Sequence, residues 1–318
     1  MLSESLHLTT LGEALIVMDP VSRGPLRYVS GFNKHLGGAE LNVAVGLSRL
    51  GHRAGWAGWL GDDEFGKEIL AFTRGEGVDV SRARLDSEAP TGLYFKEWRA
   101  LDQLHVHYYR AGSAASRMRF DEVDLEYLLS GEILHLTGIT AALSESCLDL
   151  IERLLSTANE RGTTVSFDAN VRWRLLKGRD PRRLLGPLAV RADLLFLSDG
   201  EAELLFGGSD PKSLREARRD IRAETVVVHG ANGAFAVEGD GVFERDAFRV
   251  DAVDTVGAGD AFVAGFLSGR LHGWSTEKCL DMANACGACA VTVPGDLPGL
   301  PTAEEALALR RGRPSVER

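Results

Sequence analysis

The chain has 318 residues, 44% of them hydrophobic, so it can bury a substantial core in one large domain or two. Its formal net charge of −10 argues against nucleic acid or an anionic membrane surface as the main partner, while leaving room for ATP, which local amides and a few basic groups can hold. No apolar run approaches the roughly 18 residues of a membrane span, and Glu4 and Glu13 stand where a signal peptide would carry basic residues and then an unbroken apolar core, so a cytoplasmic location is expected.

From the N-terminus onward, short β-rich runs alternate with helical ones, the pattern of an α/β fold whose mostly parallel sheet is flanked by helices on both faces. The sequence predicts strands over residues 8–18, 133–137, 163–167, 194–197 and 225–229, with helices over 39–50, 64–75, 145–161, 211–223 and 276–291. Residues 91–110 depart from that alternation. There GLYFKEW and LHVHYYR read as two alternating strands around a polar turn at 99–103, a hairpin outside the main sheet. No repeat or Pro/Gly linker divides the chain, and RRGRPSVER reads as a frayed polar tail, so residues 1–318 are expected to form a single domain. The CxxC of Cys286 and Cys289 lies in a run of small residues that reads as a buried helix, and His105 and His107 share a strand face without a ligand-spaced carboxylate or cysteine.

The segment Asp254 to Phe262, DTVGAGDAF, combines small residues, the start of an apolar helix and an acid in its first turn. Gly257, Ala258 and Gly259 leave backbone N–H groups unobstructed, and the helix that follows would point its positive end at an anion such as a transferring phosphoryl group. Asp260 is then placed to take a proton from an alcohol while the amides stabilise charge on the phosphoryl oxygens. The alternative is a helix start whose glycines only permit a tight turn and whose acid only complements the dipole. Neither better-known glycine motif fits. A Walker loop needs Lys-Ser or Lys-Thr where Asp260 and Ala261 stand, and a dinucleotide fingerprint needs glycine where Phe262 stands.

This segment matches the D-T-x-G-A-G-D signature of the ribokinase (PfkB) family of carbohydrate kinases, and GGAELNVAVGLSRLG at residues 37–51 resembles that family's N-terminal glycine-glycine segment. The resemblance implies a ribokinase-like fold with a small β lid, built from strands at about 26–36 and 91–110, that closes over the sugar and excludes water. It also implies a homo-oligomer formed through the lid. By the same resemblance Asp260 is the catalytic base, Gly257, Ala258 and Gly259 form the anion hole, and Gly38 and Asn42 line the sugar site.

YYRAGSAAS after Tyr108, DANVR after Asp168, GEALIVM and LHLTGI look most like 2-keto-3-deoxygluconate kinases within the family, which implies that Gly38, Tyr94, Tyr108, Tyr109, Arg110 and Arg172 contact a sugar acid. Arg172 would also reach ATP, together with Asn170, Ser198, Gly230, Asn232, Gly233, Gly257, Gly259 and Asn284. Two departures concern the nucleotide: Ser198 replaces a family asparagine while Glu201, linked indirectly to Mg²⁺, remains, and Val228 replaces a lysine near the triphosphate. Asp254 and Val256 match a monovalent-cation loop, with K⁺ as its occupant. The expected reaction is ATP- and Mg²⁺-dependent phosphorylation of 2-keto-3-deoxygluconate to its 6-phosphate. Alternatives are a kinase of fructose or another neutral ketose or nucleoside, a catalytically silent sugar-binding regulator, and, against the failed fingerprint, an oxidoreductase.

Overall fold

The computed structural model describes residues 5–99 and 103–311. Eight strands form the large sheet: β1 (Leu8–Thr10), β4 (Ala54–Trp56), β9 (Ile133–Thr137), β10 (Thr164–Asp168), β11 (Leu194–Ser198), β12 (Thr225–Gly230), β13 (Gly233–Glu238) and β14 (Gly241–Asp246). Their order is β14-β13-β12-β11-β10-β9-β1-β4, parallel from β12 to β4 with β13 and β14 added antiparallel at one edge. Strand alternation divides the core in two. Leu194, Phe196 and Val227 pack with the helices Ala39–Arg49, Ala258–Leu271 and Thr276–Ala290, whereas Leu195, Leu197, Val226 and Val228 pack with Glu145–Arg161 and Pro181–Ala189 on the other face. The predicted parallel sheet covered on both faces is the observed one, in the ribokinase-like arrangement.

A second sheet of four strands, ordered β3-β2-β7-β8, stands over the ends of the first: β2 (Leu15–Pro20), β3 (Phe32–Gly37), β7 (Gly92–Trp98) and β8 (Leu104–Tyr109). The short strands β5 (Trp59–Gly61) and β6 (Arg84–Asp86) pair with each other. The hairpin expected at 91–110 is present, with the Arg99 N–H donating to the Gln103 carbonyl at 2.8 Å; residues 100–102 of its turn lie outside the described residues, as do residues 312–318 of the polar tail.

Two expectations change. The run 8–18 is not one strand but two, β1 in the large sheet and β2 in the lid. Gly12 lies at the break, where a Cβ would stand 2.2 Å from the carboxyl carbon of Glu40, so the turn between the two strands has room only for glycine. The lid segment at 26–36 starts as a 3-10 turn, Leu26–Tyr28, behind Pro25, whose ring fixes φ, and becomes strand only at Phe32. The CxxC helix is buried as expected: Cys286 is packed in the core of Thr276–Ala290, and Cys289 is partly buried beside it.

Candidate active site

The parallel strands end on one edge of the large sheet, and there the order reverses: the chain runs outward from β9 through β10 and β11 to β12 in one direction and from β1 to β4 in the other. Such a switch point leaves a crevice at the carboxyl ends of the strands. Two cavities of about 430 and 860 Å³ occupy this edge and share His229, Thr255 and Gly259 in the wall between them. The smaller is roofed by the lid residues Leu15, Tyr94, Lys96, Val106 and Tyr108; the larger lies beside Asn232, Asp246, Phe248, Asn284 and Gly287.

The helix Ala258–Leu271 begins in that wall, with Gly257 as its N-cap at φ 79. Glycine is required here both by the left-handed backbone and by space, since a Cβ would meet the Asp296 carbonyl oxygen at 2.9 Å. Gly257, Gly259 and Asp260 line the smaller cavity, Ala258 and Gly259 the larger, so the first turn of the helix faces both. Asp260 is only 8% exposed, and burial lifts its carboxyl to about 6, against hydrogen bonds from Asn42 and the attraction of Arg172. Its oxygens accept from Asn42 Nδ2 at 2.7 Å and Asn170 Nδ2 at 3.4 Å. Asn170 is one of the non-glycine residues with positive φ, at 39°, held by its N–H donating to Asp168 at 2.9 Å. That is local strain maintained beside the buried Asp260 carboxyl. Asn42, expected to line the sugar site, is fully buried behind Asp260 and does not line the smaller cavity, and its amide also donates to Asp296 at 3.3 Å. Burial and the nearby Asp260 charge push Asp296 to about 7.

In the smaller cavity, Gly38 lines the wall at φ 146, where a Cβ would strike the Glu13 carbonyl oxygen at 2.4 Å. Tyr94 and Tyr108 also line it, their rings 5.6 Å apart. Tyr109 does not. As the next residue along β8 it points to the opposite face, 66% exposed and edge-on to Phe95. Arg110 lines the cavity with its guanidinium 5.2 Å over Tyr108 and paired with buried Glu13, while its Nε is buried without a partner. The expected free cation is therefore a compensated one. Arg172 lines the same cavity, is exposed, and makes no ion pair with another described residue.

Around the larger cavity, Gly230 and Asn232 form part of the lining and Gly233 closes the β12–β13 turn beside them. Asn284 lines it too, tied by its amide to the carbonyls of Arg245 and Asp246 at 3.2 and 3.1 Å. Ser198 and Glu201 form a capping box at the start of Asp199–Phe206, and both line the smaller cavity instead. Glu201 accepts from the N–H groups of Val171 at 2.6 Å and Ser198 at 2.8 Å, so both its oxygens are already engaged with backbone. Val228 is buried in the sheet core, and the nitrogen base at the wall is His229, stacked on Phe262 at 4.7 Å with Nε2 buried and unpartnered. Burial lowers the His229 pKa, which leaves a neutral imidazole.

Burial, with the charges of Glu201 and Asp260, raises the Asp168 pKa well above its ordinary value. Among the described residues no group of three or more such side chains could hold a metal ion by itself, so a Mg²⁺ here would have to arrive on nucleotide phosphates, which need few protein ligands. Asp254 and Val256 sit together, but Val256 offers its N–H to the Asp254 carboxylate at 3.1 Å. The residues that sequence reading missed are Glu13, Lys96, Asp296 and His229. Each is polar, isolated in its local segment, and meaningful only through a partner far away in sequence.

Residues 5–303 match the model of the pfkB family of carbohydrate kinases. The chain is 37% identical over 307 residues to the 2-dehydro-3-deoxygluconokinase of Thermoproteus tenax, covering 95% of this chain and 93% of the relative, and 40% identical over 304 residues to that of Bacillus subtilis, covering 94% of each. Fructokinase-1 of Zea mays is 34% identical over 313 residues, 95% of this chain and 97% of the relative. Among solved structures, 2-dehydro-3-deoxygluconokinase from Thermotoga maritima superposes with TM-score 0.88 at 28% identity, covering 97% of this chain and 99% of that one. An E. coli structure described as Ribokinase II in complex with ATP and Mg²⁺ gives 0.89 at 25%, covering 97% and 100%. On the family match and these identities, the chain belongs to the pfkB family of carbohydrate kinases and is an ATP-dependent sugar kinase.

Proposed function

We propose that this protein transfers the γ-phosphoryl of Mg·ATP to the primary hydroxyl of 2-keto-3-deoxygluconate, with Asp260 as general base and the amides of Gly257, Ala258 and Gly259 as anion hole. The observation that carries this reading is the position of Asp260, buried in a wall that faces two cavities at the N-terminus of a helix. The sugar would occupy the lidded cavity. ATP would occupy the larger one, beside Gly230, Asn232, Gly233 and Asn284, with its triphosphate directed at His229 and Gly259. Mg²⁺ would supply charge neutralisation to the phosphates near Asp168 and, through water, Glu201. Ser198 and Asn170, which line the lidded cavity, would meet the γ-phosphoryl where it crosses the wall.

Support for a sugar acid over a neutral ketose comes from Arg110 and Arg172, which face the lidded cavity, and from the unpartnered Nε of Arg110, which can donate to a carboxylate. Gly38, Tyr94 and Tyr108 would contact the sugar. A second reading, fructose as substrate, is favoured by the Glu13 carboxylate that already compensates Arg110 and by the similarity to a fructokinase. Arg110→Ala alone would strand buried Glu13 and penalise every sugar, so the discriminating variant is Glu13→Gln with Arg110→Ala, compared with Glu13→Gln. A charge-assisted contact of about 1.5 to 3 kcal/mol corresponds to a loss of roughly ten- to over a hundredfold in kcat/KM for the acid sugar, with fructose scarcely affected. Equal losses on both would favour the neutral ketose.

The pH dependence follows from the same carboxylates. A base with its pKa lifted to about 6 is protonated and idle below that pH, so kcat/KM should rise through about pH 6 and level off above about 7. Because Asp260 and Asp296 share Asn42, that limb belongs to the pair. A profile that is flat between pH 5 and 8 would contradict the assignment. We propose also that copies associate through the outer face of the lid, where Tyr109 is 66% exposed beside Phe95 and Phe32; sedimentation of Tyr109→Glu against the wild type tests this, with a shift toward monomer expected and an unchanged mass counting against it.

A further inference from the structure

Lys96 is the most completely buried charged residue of the lid, with a side chain 1% exposed. It lies on β7 two residues beyond Tyr94, on the face turned to the sugar cavity. Its ammonium donates to Asp254 Oδ2 at 2.8 Å and stands 4.0 Å from Asp19 on the neighbouring lid strand β2. The same Asp254 carboxylate accepts the N–H of Val256 at 3.1 Å and of Gly295 at 3.1 Å. Asp254 thus fastens two loops, one leading into the anion hole at Gly257 and the other carrying Asp296. Lys96 adds the lid as a third.

The loop at Asp254 and Val256 is where the family resemblance implied K⁺, and the residues present do not fit one. A metal cation needs a shell of oxygen donors. Here the carboxylate is already satisfied by an ammonium and two amides, and a second cation at bonding distance would stand beside Lys96 Nζ in a buried place where like charges are not screened. We infer that the Lys96 ammonium serves in place of a monovalent metal ion at Asp254, and that Lys96 is a positioning residue through which the lid holds the anion-hole loop in its working shape. This rests on the kinase reading of that loop. Turnover should then be indifferent to K⁺.

The test has two independent readouts. In the wild type, replacing K⁺ by tetramethylammonium should change kcat by less than about twofold and leave Tm unmoved, since nothing binds the folded state. Lys96→Ala should lower kcat roughly tenfold or more with a smaller effect on KM for ATP, and ammonium or K⁺ should restore part of kcat and raise the Tm of this variant alone. Lys96→Met, which refills the space without charge, should be slow and not rescued. A severalfold rise in wild-type kcat on adding K⁺, a K⁺-dependent rise in wild-type Tm, or full activity of Lys96→Ala would overturn the inference. Should Lys96→Ala fail to fold, the wild-type K⁺ titration decides. If no sugar is phosphorylated by the wild type, the kinase reading fails while the Tm comparison still judges Lys96.

Discussion

Asp260→Asn is expected to lower kcat by roughly two to four decades while leaving ATP binding nearly intact, the result of removing a general base from an otherwise intact site. The asparagine keeps the volume, and its carbonyl oxygen can still accept from Asn42, so the helix start and both cavities should persist. Stability should move the other way. Burial raises the folded-state pKa of Asp260 from 3.8 to about 6, so the wild type carries the cost of a buried charge in full above about pH 6 and loses that cost as pH falls toward 4. The variant has no such charge, and its Tm should exceed that of the wild type at pH 8 and converge with it near pH 4. A slower and more stable enzyme would mark Asp260 as a residue kept for chemistry. Retention of more than half of the wild-type kcat would remove it from the mechanism.

The second large effect is expected at Gly259→Val, with a loss of roughly two to three decades in kcat and little change in sugar affinity. Gly259 lies inside the first turn of Ala258–Leu271, where the backbone is helical and tolerates a side chain, and an added Cβ would touch His229 Cε1 at an ordinary 3.4 Å. The two γ-methyl groups of valine extend beyond that contact into the wall shared by the cavities, over the amides expected to meet the phosphoryl group. A melting curve within a few degrees of the wild type establishes that the variant folds. Full activity in a folded variant would refute the anion hole. By contrast Gly257→Val should damage folding itself, because φ is 79° and the Asp296 backbone leaves no room for a Cβ.

Much of the fold was legible because its signals are local. Glu145–Arg161 announces itself by Ser144, whose hydroxyl caps the helix, and by the glycine that ends it in a left-handed turn. DTVGAGDAF was legible for the same reason, since glycines, an acid and an apolar helix lie within a few residues. The break in 8–18 was hidden because LTTLGEALIVM is apolar on both sides of Gly12, and the Glu40 carboxyl that excludes a side chain there comes from a separate helix. The resemblance implies substrate contact for both Tyr108 and Tyr109, although adjacent strand residues face opposite ways, a separation that the period of two already contains. Asn42 was placed in the sugar site, whereas its value is to hold two buried carboxylates in fixed positions. Glu13 with Arg110 and Lys96 with Asp254 could not be read at all. Each pair is nearly a hundred residues or more apart, and neither member sits in a pattern that demands the other.

The most direct test of this account is sugar-dependent ADP formation by the wild type, measured with 2-keto-3-deoxygluconate and with fructose, with the product followed by phosphorus NMR. The account predicts a phosphomonoester on the primary hydroxyl of the sugar acid and a kcat/KM for it at least about tenfold above that for fructose, the size of one charge-assisted contact. Preference for fructose, or release of inorganic phosphate with no phosphorylated sugar, would contradict it.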